Sequence, residues 1–121
     1  MPETGTYVFG DGRHVRLEVV PTATISRTAD TASLDAAKVH FPLTLRPVSP
    51  GDRFVPFGMK KGSRLVSDYL TDRKRSVLAK LHQLAVVDAS GALVWLVGER
   101  TDQRFCVDSQ TVSTLLLSVA P

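Results

Sequence analysis

The stretch "LAVVDASGALVWLV", Leu84–Val97, decides the fold class. Two short apolar runs, Leu84–Val87 and Leu93–Val97, flank Asp88-Ala89-Ser90-Gly91. Apolar runs of four or five residues, rich in valine and closed by Asp, Ser and Gly, read as two antiparallel strands and their turn. Trp95 lies inside the second run and is expected in the core.

Working outward, the same grammar recurs toward both ends. Thr6–Phe9 is followed by Gly10-Asp11-Gly12, a hairpin-type turn, and then by Arg13–Val20 with period two. There Val15, Leu17 and Val19 point one way and Arg16 and Glu18 the other. Pro21 ends that strand, since proline gives no donor to a ladder. Thr22–Arg27 is β-branched and reads as a further strand, while Ala29–Ala37 reads as a loop with a short strand at its end. Phe41, Leu43 and Leu45 alternate in "FPLTLR", with Pro42 pointing to an edge or first position. Toward the C-terminus, Phe105–Val107 and Thr111–Val119 are expected strands.

One segment breaks the pattern. Pro47, Pro50, Gly51, Pro56, Gly58 and Gly62 punctuate a loop that interleaves Phe54, Val55, Phe57 and Met59. Apolar residues at that density mark an ordered loop rather than a flexible linker. Ser63 can cap a helix, and Leu65, Val66, Tyr69 and Leu70 form one apolar stripe. Val77, Leu78, Leu81 and Leu84 repeat the spacing. The expected fold is therefore α+β: mostly antiparallel strands with one helical insert at about residues 63–82.

Length and composition set bounds. With 121 residues, 43% hydrophobic and 22% charged, the chain fits one globular domain, residues 1–121. No run of eighteen apolar residues suggests a membrane span. The start lacks a signal-peptide layout, and a lone cysteine, Cys106, suits the reducing cytosol, so a cytoplasmic location is expected. Cys106 reads as a small buried hydrophobe.

Net charge is +3, unevenly placed. Pro50–Arg75 carries seven basic and three acidic residues, a net +4, whereas the rest carries eight basic and nine acidic, a net −1. Such localisation is the footprint of a polyanion-binding surface. Catalytic signatures, by contrast, are missing. His14, His40 and His82 lack metal-ligand spacing, and one cysteine cannot build a structural zinc site. Asp68 and Asp72 stand four apart on the expected helix and read as partners of Arg64 or of Arg73 to Arg75 rather than as metal ligands. No Gly-x-Ser-x-Gly elbow surrounds a serine, and neither glycine-rich segment has the lysine-plus-hydroxyl ending of a P-loop.

A set of short segments then forms one pattern: Leu45-Arg46-Pro47, Pro50-Gly51-Asp52-Arg53-Phe54, Pro56-Phe57-Gly58-Met59-Lys60, Val66-Ser67-Asp68-Tyr69 and Asp72-Arg73-Lys74. Val94-Trp95, Val97-Gly98, Arg100, Asp102, Arg104-Phe105 and Val107 continue it. In order and spacing, residues 34–119 resemble the C-terminal domain of bacterial tRNA(Ile)-lysidine synthetase. The resemblance implies a fold similar to a domain of the phenylalanyl-tRNA synthetase β subunit. It also implies a larger enzyme that uses ATP and Mg to attach lysine to the wobble cytidine of isoleucine tRNA, changing decoding from AUG to AUA. The Ser-Gly-Gly-x-Asp-Ser signature of that enzyme's N-terminal catalytic domain is absent here. What remains is expected to be a non-catalytic, tRNA-recognising fragment that needs no cofactor of its own. Its expected partners are the acceptor-stem region of isoleucine tRNA and the N-terminal catalytic domain, with no membrane.

The residues expected at the RNA are Arg53, Lys60, Lys61, Arg64, Arg73, Lys74, Arg75, Arg100 and Arg104. Lysines beside glycines can approach a phosphate backbone closely, and arginines supply planar donor forks. Arg53 is open between bracing its loop and touching RNA. Tyr69 and Phe57 could stack on a base, but core packing is the expectation for both. The alternative is a structural or docking domain whose basic face meets a protein.

Overall fold

The computed structural model describes residues 1, 3–8, 13–23, 25, 30–59, 61–76, 78, 80 and 82–120. Nine strands, one α-helix and one 3-10 turn are defined among them. The strands are β1 (Gly5–Val8), β2 (His14–Val20), β3 (Thr31–Asp35), β4 (Thr44–Pro47), β5 (Arg53–Phe54), β6 (Arg64–Leu65), β7 (Leu84–Val87), β8 (Leu93–Leu96) and β9 (Thr114–Ala120). Helix α1 covers Val66–Asp72 and the 3-10 turn Gln103–Phe105. They make a four-stranded sheet in the order β1-β2-β9-β3, a three-stranded sheet β4-β7-β8 and a small β5-β6 pair. Every strand pairing is antiparallel.

The Leu84–Val97 stretch forms its hairpin as expected, β7 against β8. Asp88 closes the turn: its carboxylate accepts from the backbone N–H of Ser90 and Ala92 and from the Ser90 hydroxyl. Burial pushes the Asp88 carboxyl up, but these donors and the His40 N–H outweigh it and hold it below the ordinary value.

The larger core lies between the two main sheets. Val15 and Leu17 from β2, Leu34 from β3, Leu115 and Leu117 from β9, Val86 from β7, and Val94 and Trp95 from β8 are buried together. The alternation ends early. Val19 is 46% exposed, whereas Val15 and Leu17 are buried. A second cluster packs Phe54, Val66, Tyr69, Leu70, Ala85, Leu93 and Leu96, which seats α1 on the other side of the β7-β8 hairpin. Phe54 and Tyr69 meet edge to face, their centroids 5.3 Å apart.

Four expectations change. The helical insert at 63–82 is interrupted rather than continuous: α1 ends at Asp72, and Lys74 takes φ 58°, which a continuing helix cannot accommodate. Helical bonds resume further on, Lys80 N–H to the Ser76 carbonyl and His82 N–H to the Leu78 carbonyl, but Leu78 is exposed and extends no apolar stripe. Val77 and Leu81 lie outside the described residues. Ser63 is no cap: the helix starts after Leu65 without a side-chain cap, and the Ser63 hydroxyl accepts from Arg53 instead. Phe105–Val107 is no strand, because Asp102 caps a 3-10 turn there by accepting from the Arg104 N–H. The described residues of 22–27 (Thr22, Ala23 and Ile25) form no strand either, and the Gly10-Asp11-Gly12 turn lies outside the described residues.

Candidate nucleic-acid interface

The cationic segment starts from a loop whose base is pinned. Arg46 forks onto Asp52 with bonds of 2.8 and 3.0 Å, and Asp52 also accepts from the Ser49 N–H. The Arg46 hydrogen bonds, reinforced by Ser49, hold the Asp52 carboxyl below the usual carboxylate range despite burial. Gly58 at φ 97° and Gly62 at φ 74° bracket the lysine doublet in the left-handed region, which residues with a Cβ rarely adopt. Lys61 is exposed between them. Lys60 lies outside the described residues.

The arginines are less free than their count suggests. Arg53 donates to the Ser63 hydroxyl at 2.9 Å and to the Ser63 carbonyl at 3.2 Å, bracing β5 against β6. Arg64 pairs with Asp72 across one face of α1. Arg73 and Arg75 converge on a single carboxylate, Glu99, whose side chain is only 5% exposed. Arg73 Nε bonds one oxygen at 3.0 Å; Arg75 Nε and Nη2 bond the other at 3.0 and 2.5 Å. Lys74 stands between them, exposed, and its ammonium has no partner among the described residues.

Asp102 is the second carboxylate hub and is wholly buried. It accepts from the Val55 and Arg104 N–H groups at 2.9 and 2.8 Å and from the Arg104 guanidinium at 3.0 and 2.9 Å. Those bonds raise the Arg104 pKa further. Through Asp102 the loop after β5 is tied to the 3-10 turn.

Two hollows organise these groups. Arg53 and Arg104 line one, of about 470 Å³, together with Ser63, Ser90 and Gly91. Arg73 and Arg100 line another, of about 350 Å³, whose remaining wall includes Phe57, Tyr69, Trp95 and Cys106. Arg100 donates to the Tyr69 hydroxyl at 3.2 Å and to the Phe57 carbonyl at 3.3 Å. Burial pushes the Cys106 thiol up, so it stays protonated and unreactive. Tyr69 packs as expected, but Phe57 is 51% exposed.

A curated protein from Parabacteroides distasonis is 44% identical over 94 residues, covering 78% of this chain and 21% of its own length. One from Bacteroides thetaiotaomicron is 40% identical over 102 residues, covering 84% of this chain and 24% of its own. Both are named tRNA(Ile)-lysidine synthase. A crystal structure of the TILS C-terminal domain superposes with a TM-score of 0.80 over 98% of this chain and 92% of that one, at 21% identity. The chain resembles the C-terminal domain of tRNA(Ile)-lysidine synthase.

An N-terminal fragment of the phenylalanyl-tRNA synthetase β subunit from Pyrococcus horikoshii shares the fold more distantly. Its TM-score is 0.65 over 74% of this chain and 28% of that chain, at 15% identity. No family model matches the chain. The chain spans between a fifth and a quarter of the length of these two curated lysidine synthases.

Within this lysidine-synthase-like domain the expected site residues separate. The structure brings Arg53 to Arg104, and Arg73 to Arg75 and Arg100. It ties Arg64 to Asp72 and leaves Lys61 and Lys74 presented to solvent. Sequence reasoning missed Glu99, which lies 24 residues beyond Arg75. The only signal was an acidic residue in the turn that ends a core strand. Among the described residues, no group of three or more His, Cys, Asp or Glu side chains is placed to hold a metal ion. No described helix is long and apolar enough to cross a membrane.

Proposed function

We propose that this chain is the tRNA-recognising domain of a tRNA(Ile)-lysidine synthase, docking the acceptor-stem region of isoleucine tRNA while the chemistry is done by a separate catalytic domain. The observation that carries the reading is the 44% match to a protein of that name, over most of this chain and a fifth of the other. The whole enzyme would activate the wobble cytidine with ATP and Mg in the cytoplasm and attach lysine, converting an AUG reader into an AUA reader. This domain contributes positioning.

Charge and geometry support that role. A duplex stem offers closely spaced phosphates and a shallow minor groove lined with 2′-hydroxyls. Lys61 and Lys74 are exposed cations at opposite ends of the β6-α1 unit, suited to separate phosphates of the stem. Arg53 and Arg104, around one hollow with Ser63 and Ser90, offer donors to another.

The test is binding of the 121-residue chain to isoleucine tRNA across a salt series. Affinity is expected to fall steeply with salt. Lys61→Ala and Lys74→Ala are each expected to lower the slope of log K against log salt by roughly 0.7–0.9. Binding indifferent to salt and to both substitutions would overturn the reading. Crosslinks from Lys61 to a catalytic domain rather than to RNA would favour a docking role.

A further inference from the structure

The hollow beside Phe57 has features that phosphate contact does not use. Phe57 exposes half of its side chain, yet its backbone is held from three directions. Its N–H donates to the Thr101 carbonyl at 3.0 Å, the next N–H donates to Gln103 Oε1 at 2.8 Å, and its carbonyl accepts from Arg100. An aromatic ring carried on so constrained a backbone is a preformed face rather than a loosely packed core residue. Beneath it the hollow, about 350 Å³, has Trp95 and Cys106 in its wall and the cations Arg73 and Arg100 at its side. That volume is at the low end of ligand pockets, roughly 300–1,000 Å³, room for one ring system and too little for a base pair.

We propose that this hollow receives one unpaired nucleobase of the bound RNA, stacked on the Phe57 ring with its acceptor edge toward Arg100. The inference rests on the RNA reading above and adds to it a single-stranded element. Stacking on an aromatic face is open to any base, because every base has a π-face. The Arg100 guanidinium offers only donors, so it meets the carbonyl oxygens and ring nitrogens of a base edge. Arg73 and its partner Glu99 share that wall, so Arg73 is already held by a carboxylate and Arg100 is the cation that meets the base. Bases inside a duplex are stacked on each other and cannot enter; a 3′ extension or a bulge can present one.

The experiment compares three RNAs against the 121-residue chain: a blunt hairpin, the same hairpin with a four-nucleotide 3′ extension, and the same hairpin with a one-nucleotide bulge. Unpaired positions carry 2-aminopurine. The expected result is about tenfold tighter binding of the extended or the bulged RNA than of the blunt one, with quenching of the probe, as one stacked base provides. Phe57→Ala should abolish that advantage and leave the blunt hairpin's affinity unchanged; Phe57→Trp should restore it. The ring is exposed, so the variants are expected to fold. Equal affinities for all three RNAs, or a loss with Phe57→Ala that is the same for all three, overturns the proposal while leaving the domain an RNA binder. Failure to bind any of the three overturns the RNA reading itself and this inference with it.

Discussion

Two carboxylate hubs, Asp102 and Glu99, both bind arginines from under the surface, and they are built differently. Asp102 accepts two backbone N–H groups as well as the Arg104 fork. Glu99 holds only side chains, Arg73 and Arg75. A carboxylate satisfied by the backbone belongs to the fold, and its arginine can leave without orphaning it. A carboxylate satisfied only by arginines loses its partners when a phosphate takes them. Arg104 is thus the cheaper cation to lend to RNA, and Arg73 and Arg75 are the ones whose release is coupled to a change in the protein.

Substitutions at each hub can break this contrast. Asp102→Ala has the largest expected effect, about 3 kcal/mol by urea unfolding, because it removes a wholly buried acceptor and leaves the part-buried Val55 and Arg104 N–H groups unpaired. A loss below 1 kcal/mol would show that Asp102 is no fold element. Glu99→Gln should cost less, about 1–2 kcal/mol, since no backbone donor is orphaned. It should also tighten tRNA binding, as Arg73 and Arg75 become available. Unchanged affinity would mean that these arginines serve the fold alone.

Lys74→Gly sharpens the comparison further. Lys74 holds φ 58°, a conformation costing a side-chain-bearing residue about 1 kcal/mol. Glycine there should raise the unfolding midpoint while lowering the salt slope of RNA binding, so stability and binding move in opposite directions. The smallest effect is a pH dependence at Asp52. Its folded pKa is depressed, chiefly by Arg46, so its contribution is fully present above the unfolded carboxylate value near 3.9 and fades as pH falls through the folded value. Asp52→Asn should remove that part of the acid sensitivity and leave the rest in place. A stability–pH profile of the two proteins checks it.

The hairpin of Leu84–Val97 was legible because its apolar runs, its turn residues and its tertiary fate agree. Where sequence reading failed, a long-range partner outbid a local preference. Ser63 looks like a cap until Arg53, ten positions earlier, claims its hydroxyl. Residues 105–107 look like a strand until Asp102 caps a 3-10 turn that ends at Phe105, leaving Cys106 a single bridge to Leu34. The helical insert looks continuous where it is broken, because nothing local to Lys74 announces a left-handed backbone. For the site, net charge by segment located the cationic region. It could not reveal that a carboxylate from outside the segment neutralises part of it, nor that Phe57 faces solvent while Tyr69 does not.

Trp95 has a consequence beyond packing. It is the sole tryptophan in the chain, is 2% exposed, and forms part of the wall beneath Phe57. Its intrinsic emission therefore comes from one address shared by the core and the hollow. Unfolding should shift that emission to the red, whereas a ligand seated in the hollow should change its intensity at nearly constant wavelength. A single unlabelled protein can in this way distinguish losing its structure from filling its cleft.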